Sequence, residues 1–179
     1  LLGAPGAGKG TIAQQLGSRY RVPWISTGEL FRSHLANQTE LGRLASASMA
    51  AGGLVPDDVT CAMIADRLDR PDVRQGFILD GFPRTCVQAD ALTGLLAASS
   101  PGRCLDQAIV VKCPDCLIID RLRSRRVCSS CGRSFNMVTR PPREPGICDA
   151  CSSPLIRRAD DQPDIIAARL ATYREQTAP

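Results

Sequence analysis

The segment Gly3-Ala4-Pro5-Gly6-Ala7-Gly8-Lys9-Gly10-Thr11 sets glycines, a lysine and a hydroxyl at the spacing G-x4-G-K. Glycines let backbone N–H groups wrap phosphate oxygens, a helix opening at the end of the loop adds its positive dipole, and Lys9 would reach the terminal phosphates. Gly6, Ala7, Gly8, Lys9, Gly10 and Thr11 form the candidate cradle. A merely flexible glycine turn would not explain the apolar residues before it, nor the helical spacing of Ile12, Ala13, Leu16 and Tyr20 after it.

A second constellation is Cys128-x2-Cys131 and Cys148-x2-Cys151, with sixteen residues between the pairs. Each pair makes a tight knuckle that supplies two thiolates of a tetrahedron, the pattern of a four-cysteine zinc ribbon. With every position filled by protein the metal would be structural, and would fold a stretch over 127–157 too poor in apolar residues to build its own core. Two disulfides are the alternative, disfavoured in a reducing compartment. Cys113-Pro114-Asp115-Cys116 is a third pair, at a helix start; it reads as a thioredoxin-like dithiol or as incidental cysteine use. Cys61, Cys86 and Cys104 are isolated and read as small apolar or incidental residues.

These groups must be held by an alternation of strands and helices. Ser26 and Glu29 form an S-x-x-E capping box that opens a helix over Thr27–Ala36, with the lone His34 on it facing solvent. A helix over 39–50 stops at Gly52-Gly53, and Pro56-Asp57 starts another that runs to about Leu68. Residues 76–80 read as a buried strand, Thr85 caps the next helix, and 108–111 is a further apolar run. Pro114 falls where a first helical residue would sit, and Pro163 restarts helical periodicity after the cysteine-rich insertion. The alternation predicts an α/β fold with a parallel sheet.

Composition removes other classes. The chain has 179 residues, 44% hydrophobic and 22% charged, which suits one globular core with an insertion and excludes collagen-like or disordered readings. A net charge of +4 does not demand nucleic acid, and aromatics at 4% leave few stacking platforms. No run approaches a membrane span and no signal-peptide pattern opens the chain, so the expected compartment is the cytoplasm. Of 22 cations only Lys9 and Lys112 are lysine. Arginine stays charged and its planar fork binds phosphate bidentately.

GAPGAGKGT, STGELFR (Ser26 to Arg32), GFILDGFPRT (Gly76 to Thr85), DRLRSRR (Asp120 to Arg126) and RRADDQPDIIAARL (Arg157 to Leu170) together resemble adenylate kinase, in order and over nearly the whole chain. The resemblance implies a P-loop nucleoside monophosphate kinase fold: a core over 1–25, 56–123 and 162–179, an AMP-binding helical insertion over 26–55, and a lid over 124–161 carrying the zinc site. It implies Mg-ATP + AMP ⇌ 2 ADP by direct in-line transfer, with Mg2+ and a structural Zn2+. ATP and AMP would be the partners of a monomer, with no nucleic acid and no membrane.

Carried residue by residue, the resemblance implies that Arg32 and Arg84 hold the AMP phosphate. Arg121, Arg125, Arg158 and Arg169 would gather around the ATP phosphates and the transferring group, with Arg158 and Arg169 also reaching AMP. Thr27, Val55, Gly81 and Gln88 would complete the AMP site, Thr27 facing the nucleotide because Ser26 takes the cap. Threonine at 27, where similar UMP/CMP kinases usually have alanine, favours AMP. Asp80, ending an apolar strand, would reach magnesium through its waters. Asp160 and Asp161 would support lid closure, though either could instead cap the helix at Pro163. The catalytic set is then Lys9, Arg84, Arg125, Arg158, Arg169, Asp160 and Asp161. The family also implies a few residues before Leu1, and a further strand and helix after the given end. The alternatives are another nucleoside monophosphate kinase of UMP/CMP type and, in a different class, a zinc-ribbon nucleic-acid binder.

Overall fold

The computed structural model describes residues 1–99 and 102–178; Ser100, Pro101 and Pro179, within the segments assigned to the core, lie outside it. Helix α1 (Lys9–Tyr20) starts directly from the glycine loop. Its N-cap Gly8 has φ 106°, where an added Cβ would meet nothing within 4 Å. Backbone conformation, and not space, therefore requires glycine there. Strand β1 (Trp24–Ser26) runs straight into α2 (Thr27–Ala36), and α3 (Glu40–Ala50) follows, its N-cap Thr39 accepting from Gly42 N–H at 3.1 Å. Helix α4 (Asp57–Leu68), β2 (Ile78–Asp80) and α5 (Cys86–Ala98) complete the first half; Thr85 caps α5 by accepting from Gln88 N–H at 3.2 Å.

The sheet is parallel, as the alternation predicts. β1 and β2 pair in the register Trp24↔Ile78, Ile25↔Leu79, Ser26↔Asp80. The opening residues lie on the other side of β2: the Leu1 amine donates to Leu79 C=O at 2.6 Å, Leu2 N–H to Ile109 C=O at 2.9 Å, and Val111 N–H to Leu2 C=O at 2.8 Å. Helices α4 and α5 pack on it through a core of Ile25, Ile64, Leu79, Phe82, Leu92 and Leu96. A second cluster, Ala4, Ile118, Leu122, Ile166 and Leu170, joins the loop to α6 (Asp115–Arg123) and α7 (Pro163–Thr172). Each such side chain contributes about 1.5–3 kcal/mol of burial. The loop, α6 and α7 are thereby fixed to one another.

The cysteine-rich insertion is a three-stranded antiparallel sheet, β3 (Arg125–Cys128), β4 (Ser134–Asn136) and β5 (Leu155–Ile156), in the order β4-β3-β5. Its core is only Cys128, Phe135 and Cys148 with Leu155 against them.

Several local expectations are corrected. Ser26 occupies the N-cap of α2 but its side chain makes no capping bond, and the Glu29 carboxylate faces Arg158 instead of closing the box. His34 is half-buried, with Nδ1 2.9 Å from Thr39 Oγ1, since the α2–α3 turn folds back on it. Tyr20 is 64% exposed despite its helical spacing. Of residues 108–111, Val110 forms a single parallel bridge with Leu2, so the run is no full strand. Pro114 is the N-cap of α6 and not its first residue; its ψ of 143° is extended. Gln162 precedes Pro163 as N-cap, so neither Asp160 nor Asp161 caps α7.

Candidate functional site: a cationic cleft over the phosphate loop

One cleft of about 590 Å³ opens over the glycine loop, and every residue expected to touch nucleotide lines it. Its wall carries eight cations against three carboxylates, Glu29, Asp80 and Asp160. An excess of this kind in a concave, low-dielectric setting draws polyanions.

At the loop, Lys9 Nζ donates to the carbonyls of Gly3 at 2.7 Å and Ala4 at 2.8 Å. Two of its three protons hold the loop and the third remains for a ligand. Burial, opposed by Asp80 and reinforced by Arg84, pushes its ammonium down to about 8. Asp80 ends β2, and its Oδ2 lies 3.4 Å from where a Cβ on Gly10 would stand, placing the carboxylate against the start of α1. From α6, Arg121 Nη1 donates to Ala7 C=O and to Cys113 Sγ, each at 3.3 Å.

The other guanidiniums converge from separate elements: Arg32 from α2, Arg84 after β2, Arg125 from β3, Arg158 after β5 and Arg169 from α7. Burial, with Arg169 close by, pushes Arg84 down to about 10, and burial with Arg32 beside it does the same to Arg158. Burial is the larger cause in each, and the neighbouring guanidinium adds to it. What holds the cluster together is a pair of aspartates. Asp161 is 0% exposed; it accepts from Arg125 Nε at 2.7 Å and Nη2 at 2.5 Å, and from Arg169 Nη1 at 3.3 Å. It lies behind the cleft wall as the anchor of two arginines. Asp160 Oδ2 faces Arg169 Nη1 at 3.2 Å and Arg32 Nη1 at 3.7 Å. Burial pushes the Asp160 carboxyl up, but these arginines hold it below its ordinary value.

Sequence reasoning missed Glu29, which points into the cleft 3.9 Å from Arg158 Nη2. Burial pushes its carboxyl up against the pull of Arg32 and Arg158. Its i+3 spacing from Ser26 spoke for a cap; its real partner is 129 positions away in sequence, where no local pattern reaches.

Elsewhere on the cleft wall Thr27, 2% exposed, donates its hydroxyl to Gly81 C=O at 2.9 Å. The expectation that Thr27 is free to face a ligand is corrected to that extent: it lines the cleft while tied to the turn after β2. Gly81 has φ 80°, and Thr27 Oγ1 and Arg84 Nη2 would each lie 3.0 Å from an added Cβ, so this turn admits glycine on both counts. Gln88, 2% exposed, uses Oε1 to accept from Arg84 N–H at 2.8 Å and Nε2 to donate to Asp57 Oδ1 at 2.7 Å.

Away from the cleft, the ligand atoms of Cys128, Cys131, Cys148 and Cys151 all lie within 4.8 Å of one another. The nearest pairs are Cys128–Cys151 at 3.3 Å and Cys131–Cys148 at 3.6 Å, so the cluster is assembled across the two knuckles and none of the four is in a disulfide. A zinc tetrahedron with about 2.3 Å Zn–S bonds has edges of about 3.8 Å. Backbone N–H groups of Cys131 and Ala150 donate to Cys128 Sγ and Cys148 Sγ at 3.4 Å, as suits sulfur carrying negative charge. Cys116 is exposed and Cys113 is partly covered by Arg121.

The adenylate kinase family model matches residues 1–179. A curated adenylate kinase of Symbiobacterium thermophilum is 50% identical over all of this chain and 82% of its own length; that of Treponema denticola is 49% identical over the same shares. The adenylate kinase of Agathobacter rectalis is 47% identical over all of this chain and 83% of its own. No helix among the described residues is long and apolar enough to cross a membrane. With a family model that matches residues 1–179 and relatives up to 50% identical over all of this chain, the chain belongs to the adenylate kinase family.

Proposed function

We propose that the chain catalyses reversible transfer of a phosphoryl group from Mg-ATP to AMP, giving two ADP. The observation that carries this reading is the convergence of Lys9 and five guanidiniums from five elements on one cleft, with a phosphate loop at one end and a buried amide, Gln88, at the other. Phosphoryl transfer leaves little covalent work to the protein; it needs spread negative charge stabilised and donor and acceptor oxygens aligned. Lys9, Arg121 and Arg125 serve the ATP phosphates. Arg32 and Arg84 hold the AMP phosphate, and Arg158 and Arg169 stand between the two. Thr27, Val55, Gly81 and Gln88 shape the base end. Residues 26–55 form the AMP-binding part and 124–161 the lid, whose closure excludes water and suppresses hydrolysis.

Asp80, buried at the loop, fits a magnesium ion held through water, and that ion when bound offsets phosphate charge. The four cysteines fit a structural zinc that supplies the lid with the stability its small core lacks. Metal analysis of protein purified under reducing conditions is expected to give one zinc per chain, and chelation to lower the melting temperature. Zinc-free protein with the same melting temperature sinks this assignment. An ADP-formation assay across acceptors tests the main reading: AMP should be used fastest, and equal rates with UMP or CMP would move the chain to another nucleoside monophosphate kinase activity.

A further inference from the structure

The amide of Gln88 sits between two groups of fixed hydrogen-bonding character. The backbone N–H of Arg84 can only donate, and it reaches Oε1 at 2.8 Å. The carboxylate of Asp57 can only accept, and Oδ1 takes a hydrogen from Nε2 at 2.7 Å. Asp57 is itself pinned, its Oδ2 accepting from Thr85 Oγ1 at 2.9 Å, and Thr85 caps the helix that carries Gln88. Asp57 opens α4, Gln88 lies on α5, and the pair spans 31 positions of sequence. Turning the amide over would set Oε1 against the carboxylate and the NH2 group against an N–H, both in a place where Gln88 is 2% exposed. Buried polar groups opposed in this way are strongly disfavoured.

We infer that Asp57 is a positioning residue that locks the Gln88 amide in one orientation and thereby selects 6-aminopurine over 6-oxopurine monophosphates. This rests on the reading of Gln88 at the base end of the AMP site. Two bonds of the amide are committed, and one N–H and one oxygen lone pair remain to meet a base. Adenine offers a donor at N6 and an acceptor at N1; hypoxanthine offers an acceptor at O6 and a donor at N1. An amide free to turn over matches either edge, whereas a locked one matches only one. A site whose polar groups cannot re-pair rejects the wrong partner far more strongly than a loose pocket does.

The test compares IMP with AMP as acceptor. Asp57→Asn keeps the shape but lets the facing group donate or accept, so one of the two locks is removed. Its IMP/AMP ratio of kcat/KM is expected to rise about tenfold, mostly through KM. Asp57→Ser, which can also donate or accept, is read the same way if the asparagine variant does not fold. A merely structural Asp57 would lower stability and slow both acceptors in parallel; an unchanged ratio in a folded variant overturns the lock. Gln88→Leu separates the two ideas. If it abolishes discrimination between AMP and IMP while the Asp57 variants keep the parental ratio, the base-end reading stands and the lock fails. If Gln88→Leu leaves discrimination intact, the base-end reading itself fails and the lock with it.

Discussion

Replacement of Lys9 by methionine is expected to lower kcat by about 10²–10³ while the protein still folds, because a charge aimed at developing negative charge in a dry site is worth that much. The rate should also reveal Lys9 through pH. Burial pushes its ammonium down to about 8, so in the free enzyme the loop holds its cation below pH 8 and loses it above. kcat/KM for ATP should fall as pH rises through about 8, and Lys9→Arg, charged throughout, should lose that limb. The stability effect has the opposite sign. The unfolded lysine keeps its proton to about 10.5, so between 8 and 10.5 unfolding takes up a proton and the contribution of Lys9 to stability grows with pH. Lys9→Met protein with parental turnover, or an alkaline limb that persists in Lys9→Arg, would mean that this loop does not carry the chemistry.

The second large effect is expected at Asp161, which touches no ligand in this account. Its carboxylate holds Arg125 by two hydrogen bonds and Arg169 by a third. Asp161→Asn keeps the volume and removes the charge, so that Arg125 loses its paired carboxylate and Arg169 keeps only Asp160. Both arginine side chains keep about a fifth of their exposure, so the loss should be about 2–4 kcal/mol, below the about 3–5 of a fully buried pair. For a chain of this length that lowers the melting temperature by about 5–15 °C. Because the freed arginines lose their aim at the transferring group, kcat should fall about 10²-fold. Calorimetry and kinetics on one preparation check both, and a variant with parental stability and turnover would remove Asp161 from its anchoring role.

What sequence made legible was what is local. The glycine loop, the two cysteine knuckles and the cap at Thr85 are each set within a few residues, and each stands where its pattern placed it. The parallel sheet followed from the alternation of elements, though β2 is shorter than the run over 76–80 and the three-residue β1 has no counterpart in the sequence reading. What sequence hid was nonlocal. Ser26 and Glu29 fit a capping box by spacing, yet the fold brings Arg158 to within 3.9 Å of the Glu29 carboxylate, and their attraction takes the place of a cap bond. Asp57 read, with Pro56, only as the start of a helix, and only the packing of α4 on α5 turns it toward Gln88. Asp161 spoke for a helix cap until the fold placed Arg125 against it from 36 positions away.

The most direct measurement follows the label from ATP carrying 32P at its γ-phosphate, incubated with AMP and Mg2+. This account predicts that the label appears in the β-phosphate of newly formed ADP, that two ADP arise for each AMP consumed, and that little inorganic phosphate is released. Label released as inorganic phosphate with AMP untouched, or no transfer at all, would contradict it.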